Sequence, residues 1–162
     1  MALRALSTVL SKVIKMHKPH VTVAAVVKKG DRFLLVKERD KFTATICYNQ
    51  PAGHLELNET LAQAASRELF EETGLTLTPI GLVGIYNLHA ANGIHYLRFC
   101  FLFDGAQITT EPCPKDADIM SAGWHTLEDI KTLPLRSHLV LKCIEDSLNR
   151  PIQDVSFIYD DN

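Results

Sequence analysis

The sequence predicts an α/β fold in which helices pack on both faces of a mixed β-sheet. Three observations predict it: apolar, β-branched runs that suit strands, segments with helical periodicity between and after them, and a length suited to one domain. The 162 residues contain no repeat, low-complexity tract or linker. One domain of this size can bury a core without disulfides or metals as supports.

Strands are predicted where apolar and β-branched residues cluster between turn signals. Residues 20–27 and 32–36 form one pair, joined by a Lys-Lys-Gly-Asp turn, and residues 75–88 and 94–103 form a second pair. The second pair is joined through Asn92-Gly93, which favours the positive backbone angles of a hairpin turn. Residues 37–47 are predicted to be loop, and a short segment surrounds Trp124.

Helices are predicted over residues 60–72, 127–131 and 136–148. At the start of the first, Thr60 and Gln63 match a capping box, and Gly74 stands where a helix stop is expected. Strands mixed with helices in this way indicate the sandwich architecture.

Composition excludes several classes of function. The net charge of −2 argues against a nucleic-acid polymer as partner, because binding a phosphate backbone requires a strong basic field. No apolar run reaches the roughly 20 residues that cross a bilayer, so no membrane partner is expected. The four cysteines are scattered without a C-x-x-C pair, which suits a reducing cytoplasm. They are Cys47, Cys100, Cys113 and Cys143.

Residues 1–16 form a separate N-terminal amphipathic extension in front of the domain that spans residues 17–162. Apolar residues recur there at helical spacing, with basic residues and no acid. A targeting segment, an ordinary short helix and a gene start placed too early, with Met16 as the natural beginning, all remain open.

Three carboxylates crowd one side of the predicted helix 60–72. Glu68, Glu71 and Glu72 are spaced i, i+3 and i+4, so they fall within an arc of about 100°. Like charges at these spacings cost a few tenths of a kcal/mol each. A hard divalent cation would offset the repulsion, since Mg²⁺ takes oxygen ligands and pairs with phosphates. A solvated, charged helix end is the alternative.

The opposite side of the helix is predicted to pack on the sheet. A stripe of mostly small residues allows close approach there. Its members are Ala62, Ala65, Ser66 and Leu69. Gly53 lets the preceding loop bend and brings bare backbone near the carboxylates.

Residues 53–75 resemble the signature sequence of a known family, the Nudix hydrolases. This segment is called the Nudix box, or the box, below. The match runs from Gly53 through Glu59 to Arg67-Glu68-Leu69, Glu71-Glu72 and Gly74-Leu75. Flanking residues 49–56 are similar to the subgroup that contains the phosphatase NudJ, with Tyr48 where tryptophan is expected. The resemblance extends from about residue 17 to near residue 159, whereas the first sixteen residues have no counterpart.

The resemblance implies a Nudix-type α/β/α sandwich with a central mixed β-sheet and a Mg²⁺-dependent enzyme, with Mn²⁺ as a possible substitute. It implies one or more metal ions bound by side chains of the box and one backbone carbonyl. These ligands are Glu68, Glu71, Glu72 and the carbonyl oxygen of Gly53. Arg67 is implied to orient loop acids such as Glu56 and Glu59.

The catalytic residues implied are Glu68 and Glu71, with Glu68 as the first choice of general base. Family members differ in this, and some take the base from a downstream loop. Asp118, six residues before Trp124, is the candidate there, followed by Asp116 and Glu111. The alternative for Asp118 is a surface loop acid.

The implied activity is hydrolysis of phosphoanhydride bonds in nucleoside di- and triphosphates and in pyrimidine- or thiamine-type pyrophosphates. House-cleaning of oxidised nucleotides or hydrolysis of ADP-ribose is the alternative, and a non-catalytic nucleotide sensor is the alternative of another class. The substrate-binding residues stay open. Arg98 and Lys37 are candidates for phosphate contacts, but a strand-surface charge is favoured for both. Either a monomer or a homodimer is compatible with the sequence.

Overall fold

A computed structural model describes residues 17–161, and the predicted extension at residues 1–16 lies outside them. The described residues form one mixed sheet with helices on both faces, which confirms the predicted fold class. The strands are β1 (His20–Lys29), β2 (Arg32–Arg39), β3 (Ile46–Asn49), β4 (Ala52–His54), β5 (Gly81–His89), β6 (His95–Asp104) and β7 (Ile119–Thr126). The helices are α1 (Leu61–Thr73), α2 (Leu127–Thr132) and α3 (His138–Asn149), followed by a 3-10 turn at Val155–Phe157.

The main path of the sheet runs β3-β2-β1-β6-β5, while β4 pairs with β1 and β7 pairs with β2. The β1–β6 pair is parallel and the other pairs are antiparallel. Two apolar cores lie on its faces. Buried residues of α2 and α3 pack on one face, and buried residues of α1 pack on the other. No helix within residues 17–161 is long and apolar enough to cross a bilayer.

The capping signals in the sequence predicted the two ends of α1 to within one residue. The Thr60 hydroxyl accepts a hydrogen bond from Gln63 N–H at 3.0 Å, and the Gln63 side chain accepts from Thr60 N–H at 2.8 Å. Gly74 ends the helix with φ 72°, a conformation that costs glycine little. The predicted stripe of small residues facing the sheet is right at Ala65 and Leu69. It also contains Ala64, which is buried and was not predicted.

Three predicted boundaries differ from the structure. The segment predicted as loop, 37–47, contributes its first residues to β2 and its last to β3, because pairing with other strands carries the sheet past the apolar run. The predicted strand 75–88 begins only at Gly81. The segment around Trp124 is the full strand β7, stabilised by its ladder with β2.

The β5–β6 hairpin is present, with His89 opposite His95. Its turn occupies residues 90–94, close to the predicted link. Gly93 alone takes a positive φ of 80° there, and Ala90 N–H donates to the Ile94 carbonyl at 2.9 Å.

Candidate active site

Arg67 joins the box helix to the loop in front of it. Its Nε donates to Glu59 Oε2 at 2.9 Å and its Nη2 to Glu59 Oε1 at 2.8 Å. Nη2 also donates to the His54 carbonyl oxygen at 3.0 Å. The guanidinium is 23% exposed, and these hydrogen bonds raise its pKa well above the ordinary value, Glu59 contributing most. Arg67 therefore fixes the loop on the helix, and its contact with Glu56 is longer, at 3.9 Å.

The remaining nitrogen of Arg67 faces two of the crowded carboxylates. Nη1 donates to Glu68 Oε1 at 2.8 Å and to Glu71 Oε2 at 3.2 Å. The Glu68 side chain is 13% exposed and that of Glu71 is 46% exposed. Burial raises the pKa of the Glu68 carboxyl above its usual range, and the opposing hydrogen bond from Arg67 does not cancel this shift. Arg67 thus supplies part of the charge that offsets the predicted repulsion.

Glu72 has a different environment from the other two glutamates. Its side chain lies on the buried arc of α1, and the residue is only 7% exposed. Its Oε2 accepts from Ala52 N–H at 3.0 Å. Burial raises its pKa to about 8, and the charges of Glu68, Glu38 and Asp116 add to the shift. Of the three carboxylates predicted to crowd one side of the helix, Glu72 is thus the one turned towards the sheet.

Gly53 lies directly against Glu68. It stands in β4 opposite Val23 of β1, and a Cβ placed on it would overlap the Glu68 carboxylate. A side chain at this position would displace that carboxylate. Glycine is required at this position because the close approach of Glu68 leaves no room for a Cβ. The backbone φ of Gly53 is not positive, so a left-handed conformation is not the reason.

The acids near Arg67 bond to protein partners in this structure. No three His, Cys, Asp or Glu side chains among residues 17–161 converge as a closed ligand set. Glu68 and Glu71 accept hydrogen bonds from Arg67 instead, and Glu72 accepts one from Ala52 N–H. The donors fit a hard divalent cation nonetheless, because they are all carboxylate or carbonyl oxygens and include a buried carboxyl beside other acids. A cation would compete with Arg67 for the same oxygens.

The loop that carries Asp118 docks on the C-terminal end of α1. Cys113 N–H donates to the Thr73 carbonyl oxygen at 2.7 Å, and Asp116 N–H donates to the Glu71 carbonyl oxygen at 2.8 Å. Asp118 itself is 61% exposed and forms an ion pair with Lys41 at 2.7 Å. The structure brings the charge of Asp116, rather than that of Asp118, to bear on Glu72. Glu111 is exposed.

Glu38 is an acid of this neighbourhood that the sequence did not single out. It stands on β2, is 15% exposed, and pairs with Arg136 at 3.3 Å. Asn49 Nδ2 donates to Glu38 Oε1 at 3.1 Å. The sequence signal for it is the alternation of side chains along β2. Glu38 follows Leu34 and Val36 at a spacing of two, so it shares their side of the strand. Assigning residues 37–47 to a loop concealed it.

Comparison with known proteins identifies the family. A model of the NUDIX domain matches residues 16–142. The chain belongs to the Nudix family. Its enzyme class follows from this membership: the protein is a Nudix hydrolase, and Nudix hydrolases use divalent metals. The carboxylates around Arg67 are the box residues of this Nudix hydrolase.

Curated relatives cover most of the Nudix hydrolase. It is 40% identical to the phosphatase NudJ of Shigella sonnei over 142 residues, which are 85% of this chain and 91% of that protein. It is 39% identical to the phosphatase NudJ of Escherichia coli over the same length and coverage. The expected resemblance to this subgroup is confirmed.

Solved structures confirm the fold. A NUDIX hydrolase from Nitrosomonas europaea has a TM-score of 0.81 at 40% identity and covers 88% of this chain and 97% of its own. The MutT NUDIX hydrolase from Burkholderia pseudomallei has a TM-score of 0.69 at 28% identity, with 80% and 98% covered. The α/β sandwich of this Nudix hydrolase is thus the fold of its relatives.

Proposed function

We propose that this Nudix hydrolase cleaves phosphoanhydride bonds of nucleoside di- and triphosphates and of pyrimidine- or thiamine-type pyrophosphates, with Mg²⁺ as cofactor. The observation that carries the proposal is the gathering of Glu68 and Glu71 at Arg67, with Glu68 against Gly53 and the buried Glu72 bonded to the neighbouring Ala52 N–H. All the box glutamates are present, which a catalytic role requires and a sensor does not. The 40% identity to a protein named phosphatase NudJ supports the substrate range.

The proposed ligands of Mg²⁺ are Glu68, Glu71, Glu72 and the Gly53 carbonyl oxygen. Mn²⁺ is a possible substitute, because the same oxygen donors suit both ions. When bound, a divalent cation neutralises the pyrophosphate and polarises its phosphorus–oxygen bond.

The chain's own residues would position the reactants and move the proton. Glu68 is the proposed general base and would accept the proton of the attacking water at a carboxylate oxygen. Its raised pKa supports this role, because a base works best when its pKa approaches the working pH. Arg67 would hold the loop through Glu59 and steady Glu68 and Glu71. Asp118 is the alternative base.

The proposal also covers location and partners. All four cysteines are free thiols, which supports a reducing cytoplasm. A small nucleotide or pyrophosphate is the proposed substrate, with no nucleic-acid polymer and no membrane as partner, since the net charge is −2. The active unit is a monomer or a homodimer.

The experiment that tests the function measures release of orthophosphate and pyrophosphate from a panel of substrates. The panel contains nucleoside di- and triphosphates, thiamine pyrophosphate and ADP-ribose, each with Mg²⁺ and with EDTA. We expect metal-dependent orthophosphate release from several nucleotides and from thiamine pyrophosphate. Pyrophosphate release from a single nucleotide would indicate house-cleaning. Nucleotide binding without turnover would indicate a sensor.

A further inference from the structure

Arg98 stands in a row of side chains that crosses the sheet. In β6 it lies between Thr22 of β1 and Tyr86 of β5, and Thr22 is opposite His54 of β4. Partners in register point to the same face of a sheet. Tyr86 belongs to the core beneath α3, so Arg98 lies on the α3 face, opposite the face that binds α1.

Two donor nitrogens of the half-buried Arg98 side chain are shielded from solvent. Its Nε and Nη1 are buried and have no hydrogen bond within the described part of the chain. The Thr22 hydroxyl next to it is also unpaired there, in a residue that is 4% exposed. Arg98 is therefore only partly exposed on its strand, and these two nitrogens do not face water. Buried donors without acceptors are costly and rare in folded proteins, so this pair calls for an acceptor.

The neighbouring acid does not supply that acceptor. Asp146 of α3 is 4% exposed and already accepts from Tyr86 Oη at 2.9 Å. It also pairs with Lys142 at 2.5 Å and with Arg150 at 3.4 Å. Thr22 and His54, the members of the row on the other side of Arg98, carry no acid group. The positive charge of Arg98 is thus left uncompensated by the row.

We propose that Arg98 and Thr22 form a subsite for an oxyanion of the substrate, namely a phosphoryl group. This inference rests on the proposed function and adds a specificity-determining residue to it. A guanidinium presents its donors in a planar fork that matches phosphate oxygens, and a buried guanidinium binds them more strongly than an exposed one.

The position of the subsite agrees with this role. His54 belongs to the row of Arg98, whereas its neighbour Gly53 touches Glu68 on the other face of β4. The row of Arg98 therefore lies on the sheet face opposite the carboxylates and extends through β1 to His54 of β4, next to Gly53.

The test compares Arg98→Gln with the matched control Arg32→Gln, which removes an equal charge from an exposed position on β2. Binding of a nucleoside triphosphate and of inorganic phosphate is measured by calorimetry in EDTA, without turnover. We expect Arg98→Gln to weaken binding about 10- to 100-fold, the loss of one hydrogen-bonded charge. KM rises by a similar factor while kcat changes little, because the lost contact holds substrate and transition state alike.

A stability measurement separates a binding role from a structural one. Arg98→Gln removes a half-buried charge whose Nε and Nη1 are unpaired within the described residues, so we expect a Tm equal to or above that of the wild type. If the variant fails to fold, Arg98→Lys provides the same binding comparison, because lysine keeps the charge and loses the fork. Unchanged affinity in the Arg98 variant, or an equal loss in Arg32→Gln, would overturn the subsite.

The two ligands also separate the source of the oxyanion. Weaker binding of the nucleotide alone indicates a phosphoryl group of the intact substrate, whereas weaker binding of inorganic phosphate indicates the released product. Absence of turnover by the wild type on the whole substrate panel refutes the proposed function, yet the calorimetry still decides the subsite.

Discussion

Arg67 and Glu59 form a two-pronged ion pair, with Nε to Oε2 at 2.9 Å and Nη2 to Oε1 at 2.8 Å. Glu59 Oε1 also accepts from Glu56 N–H at 2.7 Å. The carboxylate thus connects the helix to the turn that precedes it, where Asn58 takes a φ of 65°. A side chain that bridges helix and loop in this way sets the distance between Gly53 and the glutamates.

Arg67→Lys removes the fork but keeps the charge. Lysine donates as a point charge and cannot form two parallel hydrogen bonds with Glu59. We expect a loss of about 1–3 kcal/mol in the free energy of unfolding, measured by urea denaturation. Arg150→Lys is the control, because the Arg150 side chain of this ion pair is 60% exposed. This substitution should change the free energy of unfolding far less. Equal losses would show that the fork is unimportant.

Glu71→Gln tests the metal assignment. The amide keeps the size of the side chain and removes a charged ligand, so turnover with saturating Mg²⁺ should fall about 10²–10⁴-fold. Glu128→Gln changes a glutamate that is 81% exposed on α2 and should leave turnover intact. Near wild-type turnover by Glu71→Gln would show that the assignment is wrong.

Glu72 should make the metal-free protein less stable as the pH rises. The pKa of its carboxyl is about 8 in the folded chain and near 4.5 in the unfolded chain. Between these values the unfolded state has lost a proton that the folded state keeps, so the free energy of unfolding falls with increasing pH. Urea denaturation in EDTA from about pH 5 to about pH 8 measures this slope. Glu72→Gln should flatten it; an identical slope in both proteins would contradict the buried, protonated carboxyl.

Asp118→Asn distinguishes a catalytic base from a surface acid. A general base would lose about 10²–10⁴-fold in rate. The exposed ion pair with Lys41 predicts a change of less than about 1 kcal/mol in stability in either case. Our first choice of Glu68 predicts that activity persists in Asp118→Asn and falls in Glu68→Gln. The reverse result would move the base to the loop, and Asp116→Asn serves as the comparison within that loop.

Removal of residues 1–15 should leave folding and turnover unchanged. The family match begins at residue 16, and the described core contains residues from position 23 onward. Thermal unfolding and kcat/KM of the shortened protein check this expectation. A protein that starts at Met16 and fails to fold would show that the extension belongs to the domain.

The sequence predicted those parts of the fold and site that depend on local signals. The capping residues and Gly74 placed α1 because each acts within one helical turn. The spacing of the glutamates was equally local. By contrast, the burial of Glu72 depends on how α1 meets the sheet, and its hydrogen bond from Ala52 spans 20 residues of chain.

Long-range pairing accounts for what the sequence did not predict. β3 and β7 each pair with β2, and their residues carry weak propensity without that partner. Glu38 and Arg98 look like ordinary strand charges until neighbouring strands and helices enclose them. Charge in a strand does not by itself show whether a side chain faces water or a cleft.

Each outer strand of the main path pairs at one residue with a later part of the chain. Leu135 bridges to Tyr48 of β3, and Gln153 bridges to Leu82 of β5. An uncovered strand edge offers unpaired amides to other molecules and promotes sheet-to-sheet association. The segments on either side of α3 thus occupy backbone groups near the end of β3 and near the start of β5. A chain shortened after α3 would leave the amide and carbonyl of Leu82 open to a strand of another molecule.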